Sequence, residues 1–466
     1  MQNELQPFFS LIEKYIQTAE NPETPVLRYK KPKELKQIID FGIHPQGEGT
    51  EGVMNYIRQY LEYTSNSANH QFFNQLYGGL NLPAFMGDIV SALTNTTIAT
   101  YEVAPVGTLI ETSLIEKMCH LVGYTYGDGI FVTGGSNSNM IAMFSARNKL
   151  FGEIKQKGLS GFPVLTAFIS DQAHYSFENN ANILGIGSGN VYKIKSDERG
   201  RMIPSDLERQ IQISKDKGEM PFFIAATAGT TFLTAFDPIQ EIADIGIKRN
   251  IWVHVDGAYG GSLILSSKNE ALFRGISKTN SFTWDPHKLM NIPLVCSVIL
   301  INEPNRLKNN LTDLNDDYLF HESETASCDL GKKSVQCGRR VEALKLWLAW
   351  KYYGDEGYAA RMDNLMAMAE YFEACVMSDE RLELVIPRQT LSVCFRLRVA
   401  DALKSDEINL AIREEMRMSG KTLVNFGYWQ NQLVIRWLIS NADSTKTDID
   451  IFFRNFWEVA EKYVGE

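Results

Sequence analysis

The sequence predicts an α/β fold: a mostly parallel central sheet flanked by helices, with a helical amino-terminal segment and a small α+β carboxy-terminal domain. Three features predict it. GIFVT, PVLTAFIS, PFFIAATA, IWVHVD, SFTW and LVCSVILIN are short runs rich in Val, Ile, Phe and Thr. Most are near-continuously apolar, as strands covered on both faces must be. Helical patterns lie between several of them, and strand, helix and strand in alternation imply a parallel sheet. From about Glu356 the pattern changes to shorter strands and amphipathic helices.

Taken in order, residues 1–100 read as helices and loops, with apolar periodicity in FFSLIEKYI and VMNYIRQYLEY. Residues 101–355 hold the strands named above and form the expected large domain. Within it, DPIQEIADIGIKRN puts Ile239, Ile242, Ala243 and Gly246/Ile247 on one helical face. Asp237 is the expected cap there, with Pro238 at the first helical position. Residues 356–466 form the expected small domain. RLELVIP, LSVCFRLRV and NQLVIRWLIS read as strands, and SDEINLAIREEMRMSG as a helix closed by Gly420. DIDIFFRNFWEVAEKYV reads as a final amphipathic helix capped by Thr447.

Bulk properties narrow the function. The chain has 466 residues, 44% hydrophobic and 22% charged, with a net charge of −10. That balance is ordinary for a globular protein and argues against a nucleic-acid binder, which needs a basic face. The start MQNELQPFFSLIEKYIQ lacks the basic opening and unbroken apolar core of a signal peptide, and no apolar run has membrane-spanning length. Six scattered cysteines without C-x-x-C spacing suit reduced thiols in a cytoplasm. Seven histidines include no H-x-x-x-H pair, so no metal is expected.

Chemistry in such a sheet is expected at the carboxyl ends of the strands. Four stretches there carry unusual groups. TWDPHKLMN presents Lys288 behind His287, and IWVHVDGAYGG delivers Asp256 at the end of an apolar strand. TGGSNSNMIAMF is a tight turn at Gly135–Ser136 opening a helix, whose backbone N–H groups and dipole suit a phosphate. QAHYSFENN places His174 in a loop. Singly, each has an ordinary explanation: a solvated lysine, a helix-capping carboxylate, one tight turn among many, an incidental histidine. Together they describe the needs of pyridoxal phosphate. Lys288 would hold its aldehyde, and Asp256 would keep the ring nitrogen protonated. His287 with the Gly135–Ser136 turn would take the phosphate, while His174 and Ala258 cover the two ring faces.

These residues, with HQFFNQLYGGL, TYEVAPV, DERGRMIPSDLE, ATAGTTFLTAFDP, DYLF and QCGRRVEALKLW, resemble the group II pyridoxal-phosphate decarboxylases. The likeness is to the branch holding glutamate and cysteine sulfinate decarboxylases, and it runs from about Asn69 to the carboxy terminus. It implies fold type I, the aspartate aminotransferase-like architecture, and a homodimer with active sites at the subunit interface. It also implies an acidic amino acid as substrate. By the same resemblance Thr231 stands beside the cofactor ring, and Cys337 and Gly338 reach the phosphate of the neighbouring subunit. Tyr318 delivers the proton to the substrate carbon, Arg436 grips the α-carboxylate, and Gln75 contacts the substrate.

The chain departs from that pattern in places. Asp285 stands where the family often has Asn, and Gly257-Ala258-Tyr259 where it has AAW or AAY. The charge of Asp285 close to Lys288 is an expected brake on the amine's attack. Tyr77 occupies a position that is serine in the resembled glutamate enzymes and phenylalanine in the cysteine sulfinate enzymes. A ring there shortens the pocket and favours cysteine sulfinate, cysteate or aspartate. Thr97 agrees with the sulfinate branch, whereas Ala99 replaces an aromatic and restores room for glutamate. One methylene separates substrates by only about 1–3 kcal/mol, so glutamate decarboxylation to 4-aminobutyrate stays open. Three other outcomes compete: an aldehyde-forming decarboxylase-deaminase, an aminotransferase and a cofactor-holding scaffold without turnover. The presence of both Tyr318 and His174 favours simple decarboxylation.

Overall fold

The computed structural model describes residues 2–19, 21, 23–311 and 319–464. Tyr318 therefore lies outside the described residues. The chain divides into two units, one of residues 80–363 and the other of residues 1–79 with 364–466. They are called here the central and the terminal unit, after their places in the sequence.

The central unit is organised by a seven-stranded sheet. Its order is Asp128–Val132, Ser297–Ile301, Ser281–Trp284, Trp252–Gly257, Met220–Thr227, Leu165–Ser170 and Val191–Ile194. The last five strands run parallel, and Ser297–Ile301 is antiparallel to both its neighbours. Two antiparallel steps restore direction, so Asp128–Val132 points the same way as Ser281–Trp284. All six expected strands form, because their Val, Ile and Phe side chains are buried on both faces: Phe168, Phe223, Ile224, Val255, Phe282 and Ile299 are almost wholly sealed from water. The strand Val191–Ile194 is an addition to the expected six. Its VYKI sequence at the sheet edge alternates buried ends with an exposed lysine, too short a pattern to stand out.

Two expected helix caps differ in detail. The helix Ile239–Arg249 begins after Pro238, and Asp237 does not cap it. The Asp237 carboxylate instead accepts from the backbone N–H groups of Met202 (2.6 Å) and Thr227 (2.7 Å), tying the segment at Met202 to the end of the strand Met220–Thr227. Burial pushes that carboxyl up to about 7. The last helix, Lys446–Ala460, is capped by Thr445 and not by Thr447. Asp448 accepts from both the Thr445 backbone N–H (2.7 Å) and its hydroxyl (2.8 Å), a reciprocal cap that outcompetes a lone threonine. Gly420 does end the helix Ser405–Ser419, at φ 69°, where any Cβ would collide with the Leu27 carbonyl.

The terminal unit holds a five-stranded sheet ordered Phe72–Phe73, Leu423–Trp429, Gln432–Leu438, Ser392–Leu397 and Leu382–Leu384. Phe72–Phe73 adds in parallel to Leu423–Trp429, with Phe72 opposite Leu423. That pairing brings the amino-terminal segment into the same unit as the carboxy-terminal strands, whereas residues 80–100 belong with the central unit. The expected boundaries at 100 and 355 thus stand beside observed ones at 79 and 363. Phe395 and Trp437 of this sheet pack with Phe372 and Phe452, Phe372 lying flat on Trp437 with centroids 4.1 Å apart and edge-on to Phe395 and Phe452. Among the described residues, no helix is long and apolar enough to cross a membrane.

Candidate active site

Six strands of the central sheet share a direction, so the loops after Val132, Ser170, Thr227, Gly257 and Trp284 all emerge at one edge. Those loops, with the strand end at Asp256, carry Gly135–Ser136, His174, Thr231, Ala258, and His287 with Lys288. Parallel topology alone collects residues spread over more than 150 positions of sequence, and it does so at the edge where such sheets bind ligands.

Lys288 follows Trp284 in a tight turn, its backbone N–H donating to the Asp285 carbonyl at 2.9 Å. Its Nζ lies 3.3 Å from Asp285 Oδ2, with the lysine side chain 18% and the aspartate 2% exposed. His287 Nε2 lies 3.7 Å from the same oxygen, and its Nδ1–H donates to the Cys296 carbonyl at 2.7 Å. Burial holds the His287 imidazole below its ordinary range, with the Asp285 charge opposing that. Asp285 Oδ1 is buried without a hydrogen-bond partner. Replacing Asp285 by Asn is expected to speed covalent cofactor uptake by roughly two- to tenfold, since it removes one partly screened ion pair at the amine. Stopped-flow absorbance of the cofactor-free protein reads this directly, and an unchanged rate removes Asp285 from the account.

The phosphate turn is shaped by an absence. A Cβ on Gly135 would stand 2.7 Å from Asp285 Oδ2 and 3.2 Å from the Ala258 Cβ. Only glycine allows the helix Gly135–Leu150 to begin so close to both. Gly134 precedes it at φ 131°, with open space beside it. Asn180 Nδ2 donates to the Ser136 carbonyl at 3.0 Å and pins the first turn. The positive end of a sixteen-residue helix, with no side-chain cap, therefore lies at the sheet edge.

Asp256 is buried at the end of Trp252–Gly257. Its Oδ1 accepts from the Ala258 backbone N–H (3.0 Å) and its Oδ2 from Asn139 Nδ2 (2.8 Å). Each oxygen retains a lone pair for a further donor. His174 Nδ1 accepts from the Ser176 backbone N–H at 3.3 Å, and its ring lies 4.2 Å from that of Tyr175. Burial lowers the His174 imidazole, while the nearby charges of Asp256 and Asp285 oppose that and Lys288 reinforces it. Thr231 is exposed on the turn after Thr227. An amine, a carboxylate for a ring nitrogen, a flanking imidazole and a glycine-lined helix start fit pyridoxal phosphate, the group this donor set would hold.

The other expected site residues form separate groupings. In the central unit, Thr97 Oγ1 donates to the Cys337 carbonyl (3.0 Å) and accepts from the Arg339 N–H (3.2 Å), and Ile98 N–H donates to the Arg339 carbonyl (3.0 Å). Cys337 and Gly338 are exposed, and Ala99 is buried. In the terminal unit, Arg436 Nη2 donates to the Asn74 carbonyl at 2.8 Å, and the exposed Gln75 donates to Asn74 Oδ1 at 2.6 Å. Tyr77 packs against Phe72, centroids 6.1 Å apart.

Asn139 and His254 escape a reading of the sequence, although a signal exists for the second. Residues two apart on a strand share a face, so His254 has to lie beside Asp256. The buried pair of Arg339 and Glu111 escapes it as well. Arg339 Nη1 donates to Glu111 Oε1 (2.9 Å), Oε2 (3.2 Å) and the Phe131 carbonyl (3.0 Å).

Comparison with known proteins shows the family. Residues 32–398 match the model of the pyridoxal-dependent decarboxylase conserved domain. Human cysteine sulfinic acid decarboxylase is 40% identical over 390 residues, covering 83% of this chain and 79% of that protein. Acidic amino acid decarboxylase GADL1 of Bos taurus is 34% identical over 453 residues, covering 94% and 87%. The crystal structure of mouse CSAD in apo form superposes with a TM-score of 0.95 at 36% identity, over 98% of each chain. The chain belongs to the pyridoxal-dependent decarboxylase family, in its glutamate and cysteine sulfinate branch, with pyridoxal 5'-phosphate as its cofactor.

Proposed function

We propose that this protein removes the α-carboxyl group of a short acidic amino acid, with cysteine sulfinate, cysteate and aspartate preferred over glutamate. Decarboxylation requires the bond from Cα to the carboxylate to stand perpendicular to a conjugated acceptor, and the bound cofactor supplies that electron sink. The chain's own residues do the rest. Lys288 holds the cofactor by its amine, Asp256 keeps the ring nitrogen protonated, and His174 and Ala258 cover the ring faces. His287 and the Gly135–Ser136 helix start take the phosphate, with Thr231 beside the ring. Arg436, planar and bidentate, orients the α-carboxylate, and Gln75 contacts the substrate. Tyr318 returns a proton to Cα.

One observation supports the substrate preference above others. Tyr77 is half-buried and packed on Phe72, so its ring is a fixed wall and not a mobile arm. A cysteine sulfinic acid decarboxylase at 40% identity points the same way. Glutamate remains the second reading, because Ala99 contributes only a methyl group where the resembled enzymes have an aromatic ring. A homodimer in the cytoplasm completes the proposal. Its support is the exposed Cys337–Gly338 tip, held outward by the Thr97 and Arg339 contacts and suited to a neighbouring subunit.

Carbon dioxide release measured across glutamate, aspartate, cysteine sulfinate, cysteate, 2,4-diaminobutyrate and aromatic amino acids tests this. The short acids are expected to lead glutamate in kcat/KM by about ten- to a hundredfold, the worth of one methylene. A glutamate value well above the others overturns the preference, and hydrogen peroxide with ammonia among the products overturns simple decarboxylation.

A further inference from the structure

Behind Asp256 runs a chain of hydrogen bonds, wholly buried and belonging to the central unit. Trp252 Nε1–H donates to Ser281 Oγ at 2.8 Å, and Ser281 Oγ lies 2.8 Å from His254 Nδ1. His254 Nε2 lies 3.0 Å from Asn139 Oδ1, and Asn139 Nδ2 donates to Asp256 Oδ2 at 2.8 Å. Thr283 Oγ1 donates to the same Asn139 oxygen at 2.8 Å. His254 and Ser281 are fully buried, and the imidazole is stacked on Phe223 with centroids 5.8 Å apart.

The direction of this chain is fixed at both ends. An indole nitrogen only donates, so the Ser281 hydroxyl accepts from Trp252 and its own proton is left for His254 Nδ1. Burial holds the His254 imidazole down to about 4, so it carries a single proton, which sits on Nε2 and points at Asn139 Oδ1. The amide oxygen is thereby held toward the histidine and the amide NH2 toward Asp256. Were the amide reversed, two oxygens would face one another across the carboxylate, and His254 Nε2–H would lose its acceptor.

We propose that His254 and Asn139 are positioning residues that hold the Asp256 carboxylate aimed at the ring nitrogen of the bound cofactor, with the imidazole acting through the amide it orients. The inference rests on Asp256 facing that nitrogen and is independent of which acid is decarboxylated. Neither residue touches cofactor or substrate in this scheme. A donor fixed on Oδ2 steadies one oxygen, leaving the carboxylate one way to turn its free lone pairs, and a neutral partner adds no competing positive charge. His254 is no base in this scheme, because its lone pair at Nδ1 accepts from Ser281 and its proton at Nε2 goes to Asn139.

The test is the ratio of two affinities. Cofactor-free full-length protein is titrated with pyridoxal phosphate and with its 1-deaza analogue, in which carbon replaces the ring nitrogen, and tryptophan fluorescence reports the dissociation constants. Wild type is expected to prefer the natural cofactor. His254→Phe keeps the ring between its aromatic neighbours but cannot orient Asn139, and Asn139→Leu removes the donor to Asp256. Each is expected to cut the preference by at least about fivefold, the scale of a charge-assisted hydrogen bond. His254→Gln retains an N–H for Asn139 and an acceptor for Ser281, and is expected to keep the preference within about twofold of wild type. A general loss of fold lowers both affinities together and leaves the ratio alone. A ratio unchanged in both His254→Phe and Asn139→Leu overturns the proposal. No preference in wild type removes the role of Asp256 and the proposal with it, whereas an unexpected substrate in the carbon dioxide assay leaves this ratio untouched.

Discussion

Lys288→Ala is expected to lose turnover by at least about 10²–10⁴-fold, the contribution of a positioned group that manages protons, before its covalent role is counted. Wild-type protein mixed with pyridoxal phosphate should be yellow, and borohydride should fix the chromophore to position 288. The variant should bind the cofactor reversibly and keep no label after reduction and denaturation. The location of the amine supports this: it is 3.3 Å from Asp285, beside the glycine-lined start of Gly135–Leu150, on the edge where His174 and Asp256 also emerge. Mass spectrometry of the reduced protein decides it. A label on another lysine, or activity within tenfold of wild type, would refute the assignment of Lys288 and the mechanism built upon it.

The largest effect on stability is expected at Glu111→Ala. Glu111 and Arg339 are 1% and 5% exposed at their side chains, and Glu111 Oε1 also accepts from the Phe131 backbone N–H at 3.2 Å. Removing the carboxylate leaves a guanidinium sealed from water with one carbonyl for company, and Nε and Nη2 of Arg339 are already buried without hydrogen-bond partners. Breaking such a pair from one side costs about 3–5 kcal/mol, because the remaining charge is neither solvated nor compensated. The shift of the urea unfolding midpoint measures it. Exchanging both residues for Met is expected to recover much of the loss, since well-packed apolar side chains replace a buried pair at little net cost. A loss below about 1 kcal/mol, ordinary for an exposed pair, would show that water reaches the site.

Much of this is readable from the residues because it depends on local chemistry. GIFVT, PFFIAATA and IWVHVD become strands since nothing but burial on two faces suits them, and the Lys288 and Asp256 loops follow from where those strands end. What is not readable depends on distant partners. Asp237 looks like a helix cap because it precedes Pro238, yet two backbone N–H groups, one of them 35 residues away, claim its carboxylate. Asn139 and His254 are 115 residues apart and carry no motif of their own; only the sheet brings them together. Thr97 reads as a pocket-lining residue, but its hydroxyl is occupied by backbone groups of Cys337 and Arg339. The pairing of Phe72 with Leu423 joins opposite ends of the chain, which no window of sequence displays.

The segment around Cys337 has a consequence for molecular association. A flexible loop must surrender conformational freedom when it docks, and that entropy is subtracted from whatever contacts it makes. Here the loss has already occurred during folding, because Thr97 fastens the backbone on either side of Gly338 and the Arg339 guanidinium is anchored in the interior. An exposed tip on a rigid base can bind with less of its contact energy spent on ordering. Loosening the base by replacing Thr97 with alanine should therefore weaken any such association mainly through entropy, with the exposed contact residues themselves unaltered.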